Sequence, residues 1–282
     1  MHHNDLDGRC AADVVRKGIQ QKHPYAEVYF HECAYKDDFG DFEFVNEDTD
    51  VVVVDFGFQK DGDWDKLIAK AKSVTWIDHH KTAIEKDGPQ KELPGKRELG
   101  RKAGCMLAWE YYFPGEQSPE AVDYTSDYDT WTFKYGNRTK AFQAGMLTYD
   151  TSPDAPVWIE LINGVNANAA VEEVVAKGRA ILEYRDVDNA EYLKSFAYPV
   201  AFEGHNALVC NKGKTNSMLF DSADDAYDLW LTCVHDGKVW TVSLYTPRDD
   251  LDVSVIAKKY GGGGHPKASG FQCEELPWTR KS

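Results

Sequence analysis

Apolar and polar positions alternate along the first half of the chain in a way that predicts strands and helices in turn. Ala11, Ala12, Val14, Val15 and Ile19 fall at helical offsets and predict a helix over residues 9–22, directly after a polar opening segment. Val28, Tyr29 and Phe30 read as a short strand. Val51–Val54 is an unbroken β-branched run, suited to a parallel strand buried on both faces, and it ends in Asp55. Asp63–Lys72 reads as a helix with Trp64, Leu67, Ile68 and Ala71 on one face, and Val74–Ile77 as the next strand, ending in Asp78-His79-His80. Residues 103–113 form an apolar helix stopped by Pro114-Gly115. This alternation predicts an α/β protein with a parallel sheet in its N-terminal half.

The texture then changes. Pro153 and Pro156 mark a loop, after which Val171, Val174, Val175, Gly178, Ile181 and Leu182 recur at helical spacing. Beyond Pro199 the chain becomes a series of short β-rich runs, with a hairpin turn at Gly237 in the segment HDGK. A helix over residues 253–260, a glycine cluster and a last short strand near Phe271 close the sequence. The expected organisation is an N-terminal domain over residues 1–160, a helical connector over 161–197, and a smaller α/β C-terminal domain over 198–282.

Composition narrows the function more than the fold. The 282 residues have 42% hydrophobic and 28% charged positions, as in soluble globular proteins. No apolar run is long enough for a membrane span, and no secretory leader is visible. The six scattered cysteines form no CxxC pair, which fits free thiols in a reducing cytoplasm. A formal net charge of −15 argues against broad binding to long nucleic acid, which needs many cations near phosphates. It leaves room for a short or small phosphate substrate held by a local site.

Five segments carry candidate chemistry. In His3-Asn4-Asp5-Leu6-Asp7-Gly8, an extended backbone points His3, Asp5 and Asp7 to one side, a set suited to a divalent metal such as Mn²⁺. The bland alternative is a polar turn with Asp7 as helix N-cap. Asp55 stands where ligands of open α/β sheets gather, beyond a strand's carboxyl end, although a capping role would also place it there. Asp78-His79-His80 ends the next strand, with two imidazoles suited to metal binding and a carboxylate able to set a tautomer. Asp127-Tyr128-Asp129-Thr130-Trp131 offers a further carboxylate. Gly261-Gly262-Gly263-Gly264-His265-Pro266-Lys267 lets backbone amides approach an anion, with a flexible linker as the alternative.

In this order, HNDLDG, VVVVD, IDHH, DYDTW and GGGGHPKASG resemble the DHH phosphoesterase superfamily with its associated C-terminal domain. The resemblance is nearest to the nanoRNase B oligoribonuclease and cyclic-nucleotide phosphodiesterase subgroup. It implies a dinuclear Mn²⁺ centre, with Mg²⁺ or Co²⁺ as substitutes. His3, Asp5 and Asp55 would hold one ion, and Asp7, Asp55, His79 and Asp129 the other, with Asp55 bridging. Asp129 is preferred to Asp127 because the Asp129-Thr130 pair looks more like the family's fourth motif. Asp78 would orient a histidine, and His80 would donate to the phosphate under attack. Gly263, Gly264 and His265 would contact a substrate phosphate or base, with Arg248 as a further phosphate contact.

Family members carry a strand before the first motif, whereas Met1 and His2 alone precede His3 here. The resemblance thus implies a truncated chain, a late translation start, or another segment in that place. The activity it implies is hydrolysis of short single-stranded RNA or DNA oligonucleotides to nucleoside monophosphates, and it leaves a homodimer open. The alternatives are a cyclic mono- or dinucleotide phosphodiesterase, a 3′-phosphoadenosine 5′-phosphate phosphatase, and a non-catalytic nucleotide-binding relative.

Overall fold

The computed structural model describes residues 1–224 and 226–278. The chain divides into two compact units, Met1–Leu182 and Glu183–Ser282.

The first unit is built on a four-stranded parallel sheet. Its strands are β1 (His2–His3), β2 (Glu32–Cys33), β3 (Asp50–Val54) and β4 (Ser73–Ile77), in the spatial order β2-β1-β3-β4. Both faces of β3 are covered, which is why its apolar run is continuous. Val51 and Val53 join a core of Phe42, Phe56, Phe58, Trp64 and Trp76, while Val54 joins the opposite core of Val14, Ile77, Leu107 and Phe142. The helices of this unit are α1 (Leu6–Lys22), α2 (Asp63–Lys70), α3 (Lys81–Glu85), α4 (Gly104–Tyr112), α5 (Glu120–Asp129), α6 (Asn137–Met146) and α7 (Pro156–Trp158). A long helix, α8 (Ala167–Phe196), follows, and the division between the units falls within it.

The second unit carries a six-stranded mixed sheet in the order β5-β6-β7-β8-β10-β9. These strands are β5 (Tyr198–Phe202), β6 (His205–Cys210), β7 (Leu229–His235), β8 (Trp240–Tyr245), β9 (Gly263–His265) and β10 (Ala268–Cys273). Only β6 and β7 run parallel. Helix α9 (Val253–Lys259) contributes Val253, Ile256 and Ala257 to a core with Val209, Leu231, Val242 and Phe271. Leu193 of α8 packs with Leu208, Leu219 and Phe220 in a separate cluster.

Several elements differ from the sequence expectation. The expected strand at Val28–Phe30 does not form; Tyr29 is exposed, and β2 lies just beyond it at Glu32–Cys33. Pairing there is set by β1, whose two residues offer partners only for Glu32 and Cys33. His2 and the first motif residue, His3, form the short strand β1. His2 pairs with both Glu32 and Val54, and the Met1 amine donates to the Val52 carbonyl. The expected loop at 153–158 contains α7, with Pro156 in its first turn, where a missing N–H costs nothing. The glycine cluster is not an open loop. The amides of Gly261 and Gly262 donate to the carbonyls of Lys258 and Ala257 at the end of α9, and Gly263–His265 form the edge strand β9.

Candidate metal centre

The chain ends of β1, β3 and β4 bring three acidic or imidazole segments together, and α5 supplies a fourth. The alternation read into HNDLD stops at His3, because α1 begins at Leu6. Asp5, not Asp7, is the N-cap: its Oδ1 accepts from the Gly8 amide at 2.9 Å. The other oxygen, Oδ2, lies 2.7 Å from His3 Nδ1. Asp7 sits inside the first helical turn, where it is buried. Its carboxylate is held by the N-terminal amides of α4, from Gly104 at 2.7 Å and Cys105 at 2.9 Å, as expected for an anion at a helix N-terminus. Gly8 is required at its position, since a Cβ there would lie 2.3 Å from the His3 carbonyl oxygen.

Asp55 follows β3 with φ of 55°, a left-handed conformation that an aspartate tolerates better than most residues. This turn aims its carboxylate back over the strand ends. Gly104 backs it closely, since a Cβ on Gly104 would come within 2.5 Å of the Asp55 Cβ. Asp78 is wholly buried; its Oδ1 accepts from the amides of His79 and His80 and from His80 Nδ1 at 2.8 Å. Of the two imidazoles, it is therefore His80 that Asp78 orients.

Distances gather these groups around His79. Its Nε2 lies 3.1 Å from Asp55 Oδ1, 3.4 Å from Asp129 Oδ2 and 3.9 Å from Asp7 Oδ2. Asp55 Oδ2 in turn lies 3.9 Å from His3 Nδ1. Three overlapping groups have ligand atoms close enough to share one ion: His3, Asp5 and Asp55; Asp7, His79 and Asp129; and Asp55, His79 and His80. Every proposed ligand is thus present in one constellation.

Charge and hydrogen bonding show that the constellation fits divalent cations. Both Asp55 oxygens and His79 Nε2 are buried without a hydrogen-bond partner, a costly state that a cation would relieve. Burial, then the carboxylates of Asp7, Asp5 and Asp129, pushes Asp55 well above the usual carboxylate range. Asp129 lies at the exposed rim of the cluster, where partial desolvation and then the charges of Asp7 and Asp5 push it up as well. Burial holds His79 below the ordinary imidazole value, which favours its neutral, ligating form. Mixed carboxylate and imidazole donors suit Mn²⁺ and similar ions.

Asp127 has a different task. It is buried two residues earlier, on the other side of α5, and its carboxylate accepts from the hydroxyls of Thr132 and Thr139 and the amides of Lys134 and Tyr135. It anchors the segment after α5, while Asp129 faces the cluster. His2 is buried against Phe30 with its Nδ1 at the His3 carbonyl, and burial lowers its pKa to about 4. Gly263, Gly264, His265 and Arg248 all belong to the second unit. The Arg248 guanidinium is engaged by Asp228 at 2.5 Å and by Asp250 at 2.7 and 2.9 Å.

Two features of the site escaped the sequence reading. The apolar pattern of residues 103–113 predicts a helix but not that its N-terminus binds Asp7, although Ala103-Gly104-Cys105 has the small residues that close approach requires. Tyr35 was not singled out. Its ring centroid is 5.0 Å from that of His3 and 6.2 Å from that of His80, and burial together with Asp78, Asp55, Asp5 and Asp129 raises its phenol. No signal in the sequence marks it.

Comparison with solved structures places this architecture. The DHH domain of a protein described as a member of a family of ribosomal proteins superposes with a TM-score of 0.62 at 14% identity, covering 95% of this chain and 81% of that one. RecJ from Thermus thermophilus, solved in complex with Mn²⁺, gives 0.51 at 13% identity over 96% of this chain and 48% of its own. An exopolyphosphatase-related protein from Bacteroides fragilis gives 0.50 at 12% identity, covering 98% and 86%. In sequence, the chain is 26% identical over 258 residues to an uncharacterized protein of Acanthamoeba polyphaga mimivirus, covering 87% of this chain and 59% of that protein. The chain therefore spans about six-tenths of the length of that curated relative. No protein-family model matches.

Proposed function

We propose that this chain, which has the DHH-domain fold and carries that superfamily's motifs at its strand ends, is a metal-dependent phosphodiesterase that cleaves short oligonucleotides to nucleoside monophosphates. The observation that carries the reading is the orphaned buried donor set, Asp55 Oδ1 and Oδ2 with His79 Nε2, ringed by His3, Asp5, Asp7 and Asp129. Such a set is costly to maintain unless a cation occupies it.

His3, Asp5 and Asp55 would hold one Mn²⁺, and Asp7, Asp55, His79 and Asp129 a second. When bound, the cations supply Lewis acidity to the phosphoryl group and lower the pKa of a water toward neutrality. The chain's own part is positioning. The α4 amides hold Asp7 against repulsion by its neighbours, and Gly104 leaves room for Asp55 beside it. His80 has Nδ1 engaged by Asp78, leaving Nε2 for a phosphoryl oxygen. Although burial opposes its charge, the Asp78 hydrogen bond and nearby carboxylates raise its pKa, so it favours the donor form. Gly263, Gly264 and His265, with Arg248 once released from its aspartates, would supply further substrate contacts.

The acidic chain supports a short substrate over a long one. Incubation with di- to pentanucleotides, cyclic mononucleotides, cyclic dinucleotides and 3′-phosphoadenosine 5′-phosphate, each with Mn²⁺ and with Mg²⁺, tests the assignment. Monophosphate release from dinucleotides is the expected result. Turnover of another member alone reassigns the substrate, and turnover of none overturns the activity.

A further inference from the structure

Immediately after Asp129 the backbone does something expensive. Trp131 and Phe133 have φ of 54° and 48°, a left-handed conformation that bulky side chains rarely adopt. The strain is held by the Asp127 carboxylate, whose four hydrogen bonds tie Thr132, Lys134, Tyr135 and Thr139 to α5. The result is a compact aromatic group on the surface. Trp131 meets Tyr128 at 5.2 Å and Phe133 at 4.7 Å, both edge-on, and Tyr128 meets Phe133 at 5.8 Å. Trp131 is nonetheless 47% exposed. One ammonium group flanks these rings, Lys140 over Phe133 at 5.3 Å.

A packing role alone does not explain this arrangement, because the largest ring is turned outward at a cost in backbone strain. We propose that Trp131, braced by Tyr128 and Phe133, is a stacking platform for a nucleobase of the substrate. The proposal rests on the phosphodiesterase reading and narrows it, since it requires a base-bearing ligand and disfavours inorganic polyphosphate. Trp131 is two residues from Asp129, so its Cα lies within about 8 Å of the Asp129 Cα, comparable to the reach from a phosphate to the base it carries. Stacking needs only an exposed π face and tolerates any base, and Lys140 beside the rings complements a phosphate in an otherwise acidic protein.

The test compares Trp131→Ala and Trp131→Phe with the parent protein. The ligands are the dinucleotide pApA and the same backbone with hydrogen in place of each base. Turnover is measured with Mn²⁺, and equilibrium binding with non-hydrolysable methylenephosphonate analogues of both ligands. Trp131→Ala is expected to raise KM and weaken binding by about ten- to hundredfold for the base-bearing ligand alone, with Trp131→Phe recovering most of the loss. If Trp131→Ala fails to fold, Trp131→Leu, which keeps bulk but has no π face, is expected to show the same selective loss. Equal effects on both ligands, or none on either, overturn the platform. Should the parent protein turn over neither ligand while the variants still lose base-bearing binding selectively, the phosphodiesterase reading fails and the platform stands. Should turnover of pApA persist with unchanged KM in the variants, the platform fails and the phosphodiesterase reading stands.

Discussion

At the scale of single residues, Asp55 concentrates the physics of the site. It is buried, left-handed, unpartnered and surrounded by other carboxylates. Asp55→Asn keeps the shape and tolerates the same backbone, so it is expected to fold. It should lower manganese-dependent turnover by at least about a hundredfold and remove the thermal stabilisation by Mn²⁺, as read by activity and by melting with and without chelator. The metal-free protein should also respond to pH in a definite sense. A carboxyl whose folded pKa is raised binds its proton more tightly folded than unfolded, so its contribution to stability is complete below about pH 4. That contribution is lost as pH rises through the higher folded value. In chelator, stability relative to Asp55→Asn should therefore fall as pH is raised from the acid side. A difference between the two proteins that does not change with pH would show that Asp55 ionises normally.

At the scale of elements, the contact of α4 with the end of β3 determines whether the ligands converge. Gly104→Ala would place a Cβ 2.5 Å from the Asp55 Cβ and 2.9 Å from its Oδ1. The expected outcome is a loss of about 1–3 kcal/mol in denaturant unfolding and at least about tenfold weaker Mn²⁺ binding by calorimetry. The end of α5 separates two roles within one short motif. Asp127→Ala leaves four hydrogen-bond donors without their acceptor and should cost about 2 kcal/mol or more in chemical denaturation. Mn²⁺ binding in that variant should persist, because Asp129 rather than Asp127 belongs to the constellation.

For the whole molecule, net charge bears on the size of the proposed substrate. A net charge of −15 argues against a broad cationic face, so binding should engage one or two phosphates. The slope of log affinity against log salt is then expected to be about −0.7 to −1.4 for a tri- or tetranucleotide analogue. A much steeper slope, measured by titration at several ionic strengths, would reveal an extended phosphate track. Addition of Mn²⁺ to the metal-free protein should raise its melting temperature, by about 1.4 kcal/mol of stability for each tenfold excess over the dissociation constant.

Strand and helix positions around β3, α2, β4, α4, α8, the β7–β8 hairpin and α9 were legible in the sequence, because burial on one or two faces imposes a period that local composition records. The residues of the candidate centre were legible as motifs: HNDLD, VVVVD and DHH each begin or end an element whose pattern is plain, whereas α5, which carries DYD, was not foreseen. What only tertiary structure decided was which atoms meet. The roles of Asp5 and Asp7 in α1, the division of labour between Asp127 and Asp129, the α4 amides on Asp7, and the place of Tyr35 all depend on contacts between segments up to 98 residues apart. No local pattern encodes such contacts, since a carboxylate that caps, one that braces and one that awaits a cation are the same residue until their neighbours are known.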